Sequence, residues 1–261
     1  MTTLCTTTGL GVRYRHAGAA ALSGVCLAID AGERLAIIGG SGSGKSTFAR
    51  ALAGLLPAGA AVDGTVAWPA LGHPPRPGRD LGFVFQDPGA SLNPVLTVGE
   101  QVAEGAQRHL GLDWKRAFER AESLLARVRL PEPARLLRAF PHQLSGGQRQ
   151  RVAIAAAIAA KPSVLIADEV TSALDQAVQA EIVALLDELV REEAMTLIFI
   201  THDMALASGL ADRIAVFDRG ELVELGPARR IVTAPESAAA RLLLAAHIDL
   251  GTPSLVTGGG A

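Results

Sequence analysis

Three short, uninterrupted apolar runs constrain the fold of this chain more than any other feature of its sequence. They cover residues 35–38, 164–167 and 197–200, and each is bounded by glycine, proline or polar residues. Strands that are buried on both faces have this composition, because helices cover both sides of a parallel sheet. Helical periodicity separates the runs, most clearly over residues 48–55 and 182–189. The alternation predicts an α/β fold with a mainly parallel central sheet.

Outside these runs, the pattern predicts an antiparallel side sheet and a helical insertion. Residues 25–29 alternate between apolar and smaller or polar side chains, which is typical of a half-buried antiparallel strand. From residue 97 to residue 140 the periodicity is helical. We therefore expect one α/β domain over residues 1–235, a helical subdomain at about 87–160 within it, and a short C-terminal tail at 236–261.

The composition excludes several classes of protein. The 261 residues carry 24 Lys and Arg against 26 Asp and Glu, so a general nucleic-acid binder is not expected. The hydrophobic share of 49% is too high for a disordered chain, and two cysteines do not make a disulfide framework or a zinc site. No apolar run approaches the roughly 18 to 20 residues of a membrane-spanning helix. The first ten residues lack the basic start and the apolar stretch of a signal peptide, which predicts a cytosolic location.

A glycine-rich segment follows the first buried strand and opens the first predicted helix. It matches G-x-x-x-x-G-K-[ST] in the strand, loop and helix context that this motif requires, which disfavours a plain glycine-rich turn. Glycines let successive backbone N–H groups curl around a phosphate, and the helix start adds partial positive charge. Lys45 can supply a full charge to the terminal phosphates, and the Ser46 hydroxyl can ligate Mg²⁺. The segment predicts a site for ATP and Mg²⁺ formed by Gly39, Gly40, Ser41, Gly42, Ser43, Gly44, Lys45, Ser46 and Thr47.

Two carboxylates end the second apolar run. Asp168 and Glu169 are expected at the carboxyl edge of the sheet, where ligands bind in open α/β folds. There Asp168 would join the Mg²⁺ shell, and Glu169 would face the γ-phosphate and polarise a water molecule. The alternative, that the pair only caps the next helix, is weakened by the phosphate loop.

Four further sequence elements occur in the order typical of one family. They are residues 144–148 (Leu-Ser-Gly-Gly-Gln), Gln86 after an apolar run, residues 172–175 just past the acidic pair, and residues 201–203. Over roughly residues 1–235, the chain resembles the ATP-binding subunit of an ABC transporter.

The resemblance gives the 144–148 segment a role that its own chain cannot supply. Small residues at a helix start form a second anion-binding surface. In the resembled family this surface closes on ATP held by a second ATP-binding subunit, so two ATP molecules are sandwiched in a head-to-tail pair. The signature residues that this implies are Ser145, Gly146, Gly147 and Gln148. The second subunit is a different or an identical chain, and the branch discussed below favours a different one.

The resemblance also implies roles for single residues. Gln86 would reach the metal or the attacking water, and Glu169 would be the general base. His202 would contact the γ-phosphate, and Asp175 would act at the partner interface. Tyr14 lies where the family has an aromatic that stacks on adenine, although core packing explains it nearly as well.

Two segments resemble the peptide and nickel branch of ABC importers in particular. They are residues 86–99 and residues 140–143, directly before the signature. In that branch the helical block receives a short helix from a transmembrane permease, which makes residues 87–100 the expected coupling surface. The resemblance implies a peripheral protein on the cytoplasmic face of the inner or plasma membrane, served indirectly by a solute-binding protein.

Two departures from the branch stand in the sequence. Val170 replaces the proline that many relatives have after the acidic pair, and residues 234–237 lack the usual His-Pro-Tyr-Thr-like segment. The cargo therefore stays open between peptide, nickel and a metal chelate. The alternatives to an importer are a soluble ABC ATPase that assembles or remodels complexes, and a P-loop kinase, against which the signature argues.

Overall fold

The computed structural model describes residues 2–15, 18–171 and 175–248. Its strands are β1 (Thr3–Arg13), β2 (Leu22–Asp30), β3 (Arg34–Gly39), β4 (Ala61–Ala67), β5 (Leu81–Val84), β6 (Val164–Asp168), β7 (Thr196–Ile200), β8 (Arg213–Asp218) and β9 (Glu221–Pro227). Its helices are α1 (Lys45–Leu52), α2 (Pro88–Ser91), α3 (Val98–Leu110), α4 (Trp114–Arg127), α5 (Pro133–Leu136), α6 (Gly146–Ala157), α7 (Gln176–Glu192), α8 (Met204–Leu210), α9 (Ala228–Thr233) and α10 (Ala238–Ile248). Among the described residues, no helix has both the length and the apolar character needed to cross a bilayer.

The chain divides into two compact units, Met1–Pro74 with Leu197–Ala261, and Pro75–Thr196. In the first unit, β3 lies between β7 and β8 and runs parallel to both, while β9 pairs with β8 in antiparallel fashion. Residues 35–38 and 197–198 are at most 1% exposed, so these strands are buried as predicted. Strands β2, β1 and β4 form the expected antiparallel sheet in that order.

The second unit combines two parallel strands with most of the helices. β5 pairs with β6, every residue of β6 is buried, and α3, α4 and α6 pack on one another. A Cβ added at Gly82 would lie 2.4 Å from the Ala157 carbonyl oxygen, so β5 and α6 meet backbone to backbone. The predicted α/β fold, with parallel strands, an antiparallel sheet and helices, is confirmed. The domain limits at 87–160 and 235 stay predictions, and residues 249–261 of the predicted tail lie outside the described ranges.

The C-terminal helix α10 is fastened to the first unit through a buried carboxylate. Glu224 on β9 is 7% exposed and accepts hydrogen bonds from the backbone N–H groups of Glu236 and Ser237. Burial acts to raise the pKa of the Glu224 carboxyl, but these donors and Arg230 at 3.6 Å outweigh it and hold the pKa below its ordinary value. Because the ionised form is the one that is bound, this contact stabilises the fold when Glu224 is charged.

We expect Glu224→Gln to lower the free energy of unfolding at pH 7 by about 1–3 kcal/mol, because a bound charge is lost from a buried position. The native pKa is depressed, so the wild-type advantage is complete above the ordinary value of 4.5 and disappears as the pH falls through the lower native value. Denaturant unfolding of both proteins between pH 7 and pH 3 measures this. Glu221→Gln, an exposed change on the same strand, is the control. A difference in stability that does not shrink with acidification contradicts the assignment.

Candidate functional site

Lys45 closes the loop between β3 and α1. Its Nζ donates hydrogen bonds to the carbonyl oxygens of Gly39 at 2.9 Å and Gly40 at 2.8 Å, and the residue is only 6% exposed. Such bonds fix a flexible side chain, so the ammonium charge is held at the loop. This is where the sequence predicts that the terminal phosphates of ATP bind.

The loop is tightly packed on one side and open on the other. A Cβ added at Gly39 would lie 2.3 Å from the Phe217 carbonyl oxygen, and one at Gly44 would lie 2.6 Å from the Ala21 carbonyl oxygen. Real Cβ atoms do not approach so closely, and Gly44 also has a φ of 102°. At Gly40 and Gly42, by contrast, an added Cβ would meet nothing within 4 Å. The loop thus offers an open concave backbone, which fits a phosphate group.

The turn between β8 and β9 braces this loop from behind. The Gly220 N–H donates to the Ser43 carbonyl oxygen at 3.0 Å, and the Gly220 carbonyl oxygen accepts from the Ser23 N–H at 2.9 Å. Gly220 has a φ of 85°, and an added Cβ would lie 2.9 Å from the Ala21 carbonyl oxygen. A residue far along the chain therefore sets the position of the phosphate loop, which local sequence patterns did not indicate.

The start of α1 is suited to an anion. Gly44 occupies the N-cap position and provides no side-chain hydrogen bond, and the first turn contains no acidic residue. The first N–H groups of a helix have no partner within the helix, and they carry the positive end of its dipole. A bound phosphate supplies the negative charge that this helix start lacks.

Tyr14 lies beside α1. Its hydroxyl is 3.0 Å from the Thr47 Oγ1, and the side chain is half-buried. The structure thus joins Tyr14 to the last residue of the predicted phosphate segment. Stacking of its ring on adenine stays a prediction.

His202 follows β7 at the edge of the sheet where the phosphate loop leaves β3. The strands are parallel neighbours, and the Thr201 N–H donates to the Ile37 carbonyl oxygen of β3 at 3.2 Å. His202 itself is exposed, and the next residue, Asp203, caps α8 through hydrogen bonds from two backbone N–H groups. The structure therefore brings His202 and the phosphate loop to one edge of the first unit, and the contact of His202 with the γ-phosphate stays a prediction.

In the second unit, the parallel pairing of β5 and β6 brings Gln86 to the acidic pair. The Gln86 Nε2 donates to the Glu169 Oε2 at 2.8 Å. Asp168 is 1% exposed at the end of β6, whereas Glu169 is partly exposed. A buried carboxylate and an accessible one thus lie side by side, in keeping with the distinct roles predicted for metal binding and for general base catalysis.

Glu169 has a strained backbone that the sequence did not indicate. Its φ is 46°, in the left-handed region that a residue with a side chain enters at a cost of about 1–2 kcal/mol. Val170, next in the chain, is only 8% exposed and so anchors the segment. Strain of this kind persists where the surroundings fix the backbone, and here it directs the Glu169 side chain toward Gln86.

The predicted signature forms the capped start of α6. The Gln148 N–H donates to the Ser145 Oγ at 3.3 Å, and the Ser145 N–H donates to the Gln148 Oε1 at 2.9 Å. Ser145 and Gly146 are exposed, so this helix start faces outward. Asp175 likewise caps α7, since its Oδ1 accepts from the Val178 N–H at 3.0 Å. Residues 172–174, which belong to the same family pattern, lie outside the described ranges.

The predicted coupling segment, residues 87–100, has an ordered backbone. Asp87 caps α2, and the Gln101 amide exchanges hydrogen bonds with the backbone N–H and carbonyl oxygen of Asn93. Val95, held in this turn, is 75% exposed. An apolar side chain on a fixed, exposed turn suits contact with another protein.

The family comparison identifies the chain over most of its length. The family described as ABC transporter matches residues 22–172. The glutathione import ATP-binding protein GsiA of Salmonella paratyphi A (strain ATCC 9150 / SARB42) is 42% identical, over 93% of this chain and 42% of that protein. GsiA of Escherichia coli O1:K1 / APEC is 43% identical, over 89% of this chain and 40% of that protein. The chain thus spans about two fifths of the length of these curated relatives.

Solved structures agree with the family match. CbiO1 of Clostridium perfringens, described as part of the ABC transporter complex cbiONQ, superposes with a TM-score of 0.74 at 30% identity, over 90% of this chain and 92% of that one. The ATP-binding cassette MJ0796, solved as a dimer in a post-hydrolysis state with ADP and Pi, superposes with a TM-score of 0.73 at 31% identity, over 87% of this chain and 99% of that one. The match to the family model over residues 22–172, together with these relatives, shows that the chain belongs to the ABC transporter family.

Proposed function

We propose that this chain hydrolyses ATP to drive a membrane importer. The observation that carries the proposal is the phosphate loop, which is closed behind by backbone contacts at Gly39 and Gly44 and holds the Lys45 ammonium at its mouth. An open concave backbone with one buried cation matches the β- and γ-phosphates of a nucleoside triphosphate.

The roles that we propose for the other residues are those that the sequence predicts. As the sequence predicts, Ser46, Gln86 and Asp168 would supply the hard oxygen ligands that Mg²⁺ prefers, and the bound ion would neutralise charge on the phosphates. Glu169 acts as the general base for water, with Gln86 orienting its carboxylate at 2.8 Å. His202 donates a hydrogen bond to the γ-phosphate and so helps to hold this phosphate in line with the attacking water molecule.

A second cassette completes the binding site of each ATP. The Ser145 hydroxyl and the backbone N–H groups of Gly146 and Gly147 at the start of α6 suit the phosphates of ATP bound to a partner, and Asp175 would contact that partner. The dimeric cassette with ADP and Pi among the related structures supports this arrangement. We propose a related but different ATPase subunit as the partner, as the sequence analysis favours.

The transport role rests on the relatives, which are named as glutathione import proteins. Glutathione is a small peptide, so a peptide-class cargo is favoured over nickel or a metal chelate. Residues 87–100, with the exposed Val95, would contact the transmembrane permease. The chain would then lie peripherally on the cytoplasmic face of the membrane and would serve a solute-binding protein indirectly.

Two measurements test this proposal. ATPase activity per molecule should rise when the second cassette is titrated into this chain, because the working site needs two cassettes, and tagged chain expressed in its own host should co-purify with a multi-spanning membrane protein. ATPase activity without such a membrane partner would favour the soluble assembly ATPase instead. ATP consumption that always accompanies a phosphorylated small molecule would favour a kinase.

We expect Ser145→Arg to reduce steady-state ATP hydrolysis by at least about 10-fold. A large cation at the start of α6 opposes the helix dipole and blocks the approach of the partner's phosphates. Binding of ATP by the phosphate loop of the same chain should not change, and nucleotide titration measures this. Ser145→Ala is the matched control. It removes the same helix cap, which lowers the stability of the helix by about 1 kcal/mol, but it adds neither bulk nor charge. Normal turnover by the arginine variant would show that the signature does not act on a partner's nucleotide.

A further inference from the structure

Helices α6 and α7 of the second unit touch at two places near their starts. Gly147 packs so closely on α7 that an added Cβ would lie 3.1 Å from the Val178 Cγ1. Further along, the Arg151 Nη2 donates to the Glu181 Oε2 at 2.6 Å. Both contacts run in the same direction along the two helices, so α6 and α7 start side by side.

Arg151 is the buried member of this arrangement. The residue is 8% exposed, whereas the side chain of Glu181 is 61% exposed. The other arm of the guanidinium, Nη1, donates to the carbonyl oxygen of Val128, the C-cap residue of α4, at 3.0 Å. The planar fork of arginine thus ties the end of α4 to both α6 and α7, which the point charge of a lysine cannot do.

The spacing relates this tie to the two exposed caps. Arg151 lies six residues after Ser145, the cap of α6, and Glu181 lies six residues after Asp175, the cap of α7. At 1.5 Å per residue, each end of the ion pair is about 9 Å along its helix from the cap. The ion pair therefore keeps the two caps, Ser145 and Asp175, in register along the axes of α6 and α7.

We propose that Arg151 is a positioning residue that presents Ser145 and Asp175 to the partner cassette as one rigid element. This inference rests on the proposed function, in which both caps act across the dimer. Both helix starts must contact one partner at the same time. If the two helices slid past each other, Ser145 and Asp175 would no longer have the relative position that this contact requires. Arg151 prevents this sliding without touching the nucleotide.

Other ion pairs on α7 provide matched controls. Arg129 donates to Glu188, and Arg127 donates to Glu192 at 2.8 Å and to Glu193 at 2.6 Å. These pairs lie in the second half of α7, away from its capped start, and the Arg129 side chain is 49% exposed. Arg129→Gln breaks an arginine–glutamate contact with the same helix but should leave Ser145 and Asp175 in register.

The first experiment compares Arg151→Met, Arg151→Lys and Arg129→Gln with wild type, each combined with the partner cassette for steady-state ATP hydrolysis and each alone for ATP binding. We expect Arg151→Met to lower kcat by about 10- to 100-fold, because a misplacement of about 1 Å has an effect of this size. Its affinity for ATP should stay within about twofold of wild type, since its own phosphate loop is untouched. Arg151→Lys should recover part of kcat, and Arg129→Gln should behave as wild type.

A second variant keeps the inference falsifiable if Arg151→Met does not fold. Glu181→Gln changes an exposed side chain and should lower kcat by roughly 3- to 10-fold through the same contact. The double variant should be no worse than Arg151→Met alone, because one interaction is lost only once. Normal kcat in Glu181→Gln, or additive losses in the double variant, would overturn the role of Arg151. A wild-type cassette whose activity does not depend on a partner would instead overturn the proposed function.

Discussion

Replacing Glu169 by Gln is expected to slow ATP hydrolysis by about 10²- to 10⁴-fold, the usual contribution of a general base. The amide keeps the shape of the carboxylate and retains an oxygen that can accept the hydrogen bond from Gln86, but it cannot take a proton from water. The left-handed backbone at position 169 also suits glutamine no less than glutamate. Binding of ATP should therefore persist while the chemical step fails, and single-turnover hydrolysis beside equilibrium ATP binding measures the two effects separately.

Glu192→Gln is the matched control for this result. It makes the same chemical change at an exposed residue of the second unit, where Glu192 pairs with Arg127. Its rate of hydrolysis should equal that of wild type. An unchanged rate in Glu169→Gln would remove Glu169 from the role of base, and the bond to Gln86 would then be structural.

Replacing Lys45 by Ala is expected to weaken ATP binding by about 100-fold or more. Two of the three N–H donors of Lys45 are bound by Gly39 and Gly40, so only the third can donate to a charged phosphate oxygen, and the loss of that bond alone, about 1.5–3 kcal/mol, weakens binding about 10- to 100-fold. The loss extends to the loop itself, because Lys45 also holds the carbonyl oxygens of Gly39 and Gly40. Titration with a fluorescent ATP analogue, compared with ADP and AMP, measures the effect.

The comparison of nucleotides adds a second criterion. Because the lysine is assigned to the terminal phosphates, its removal should affect ATP more than AMP. Lys115→Ala removes an exposed lysine from α4 and should leave all three affinities unchanged. Undiminished affinity for ATP in Lys45→Ala would refute the phosphate loop as the binding site.

Local sequence patterns were sufficient for the buried strands of the parallel sheet, and they also predict the phosphate loop. An apolar run of four residues next to glycine or proline has few alternatives to a buried strand, and the runs at 35–38 and 197–200 were confirmed as β3 and β7. The phosphate loop combines its signals within nine consecutive residues. Such features are encoded by neighbours in the chain, so no tertiary contact is needed to find them.

Features that depend on distant residues could not be predicted. The Gln86–Glu169 bond joins residues 83 positions apart, and the φ of 46° at Glu169 results from how its neighbours are packed. Glu224 resembles an ordinary solvent-facing residue of a hairpin, but it is buried and bound by the N–H groups of Glu236 and Ser237 further along the chain. The roles assigned to Gln86, His202, Asp175 and Tyr14 stay predictions, because they involve a nucleotide or a partner chain.

The turn at Gly220 gives the nucleotide site a second means of control. Since this turn holds the Ser43 carbonyl oxygen and packs against Ala21, the shape of the phosphate loop depends on residues outside the loop. A change in this turn would therefore alter the phosphate loop, and with it the affinity for ATP, without changing any residue of the loop itself.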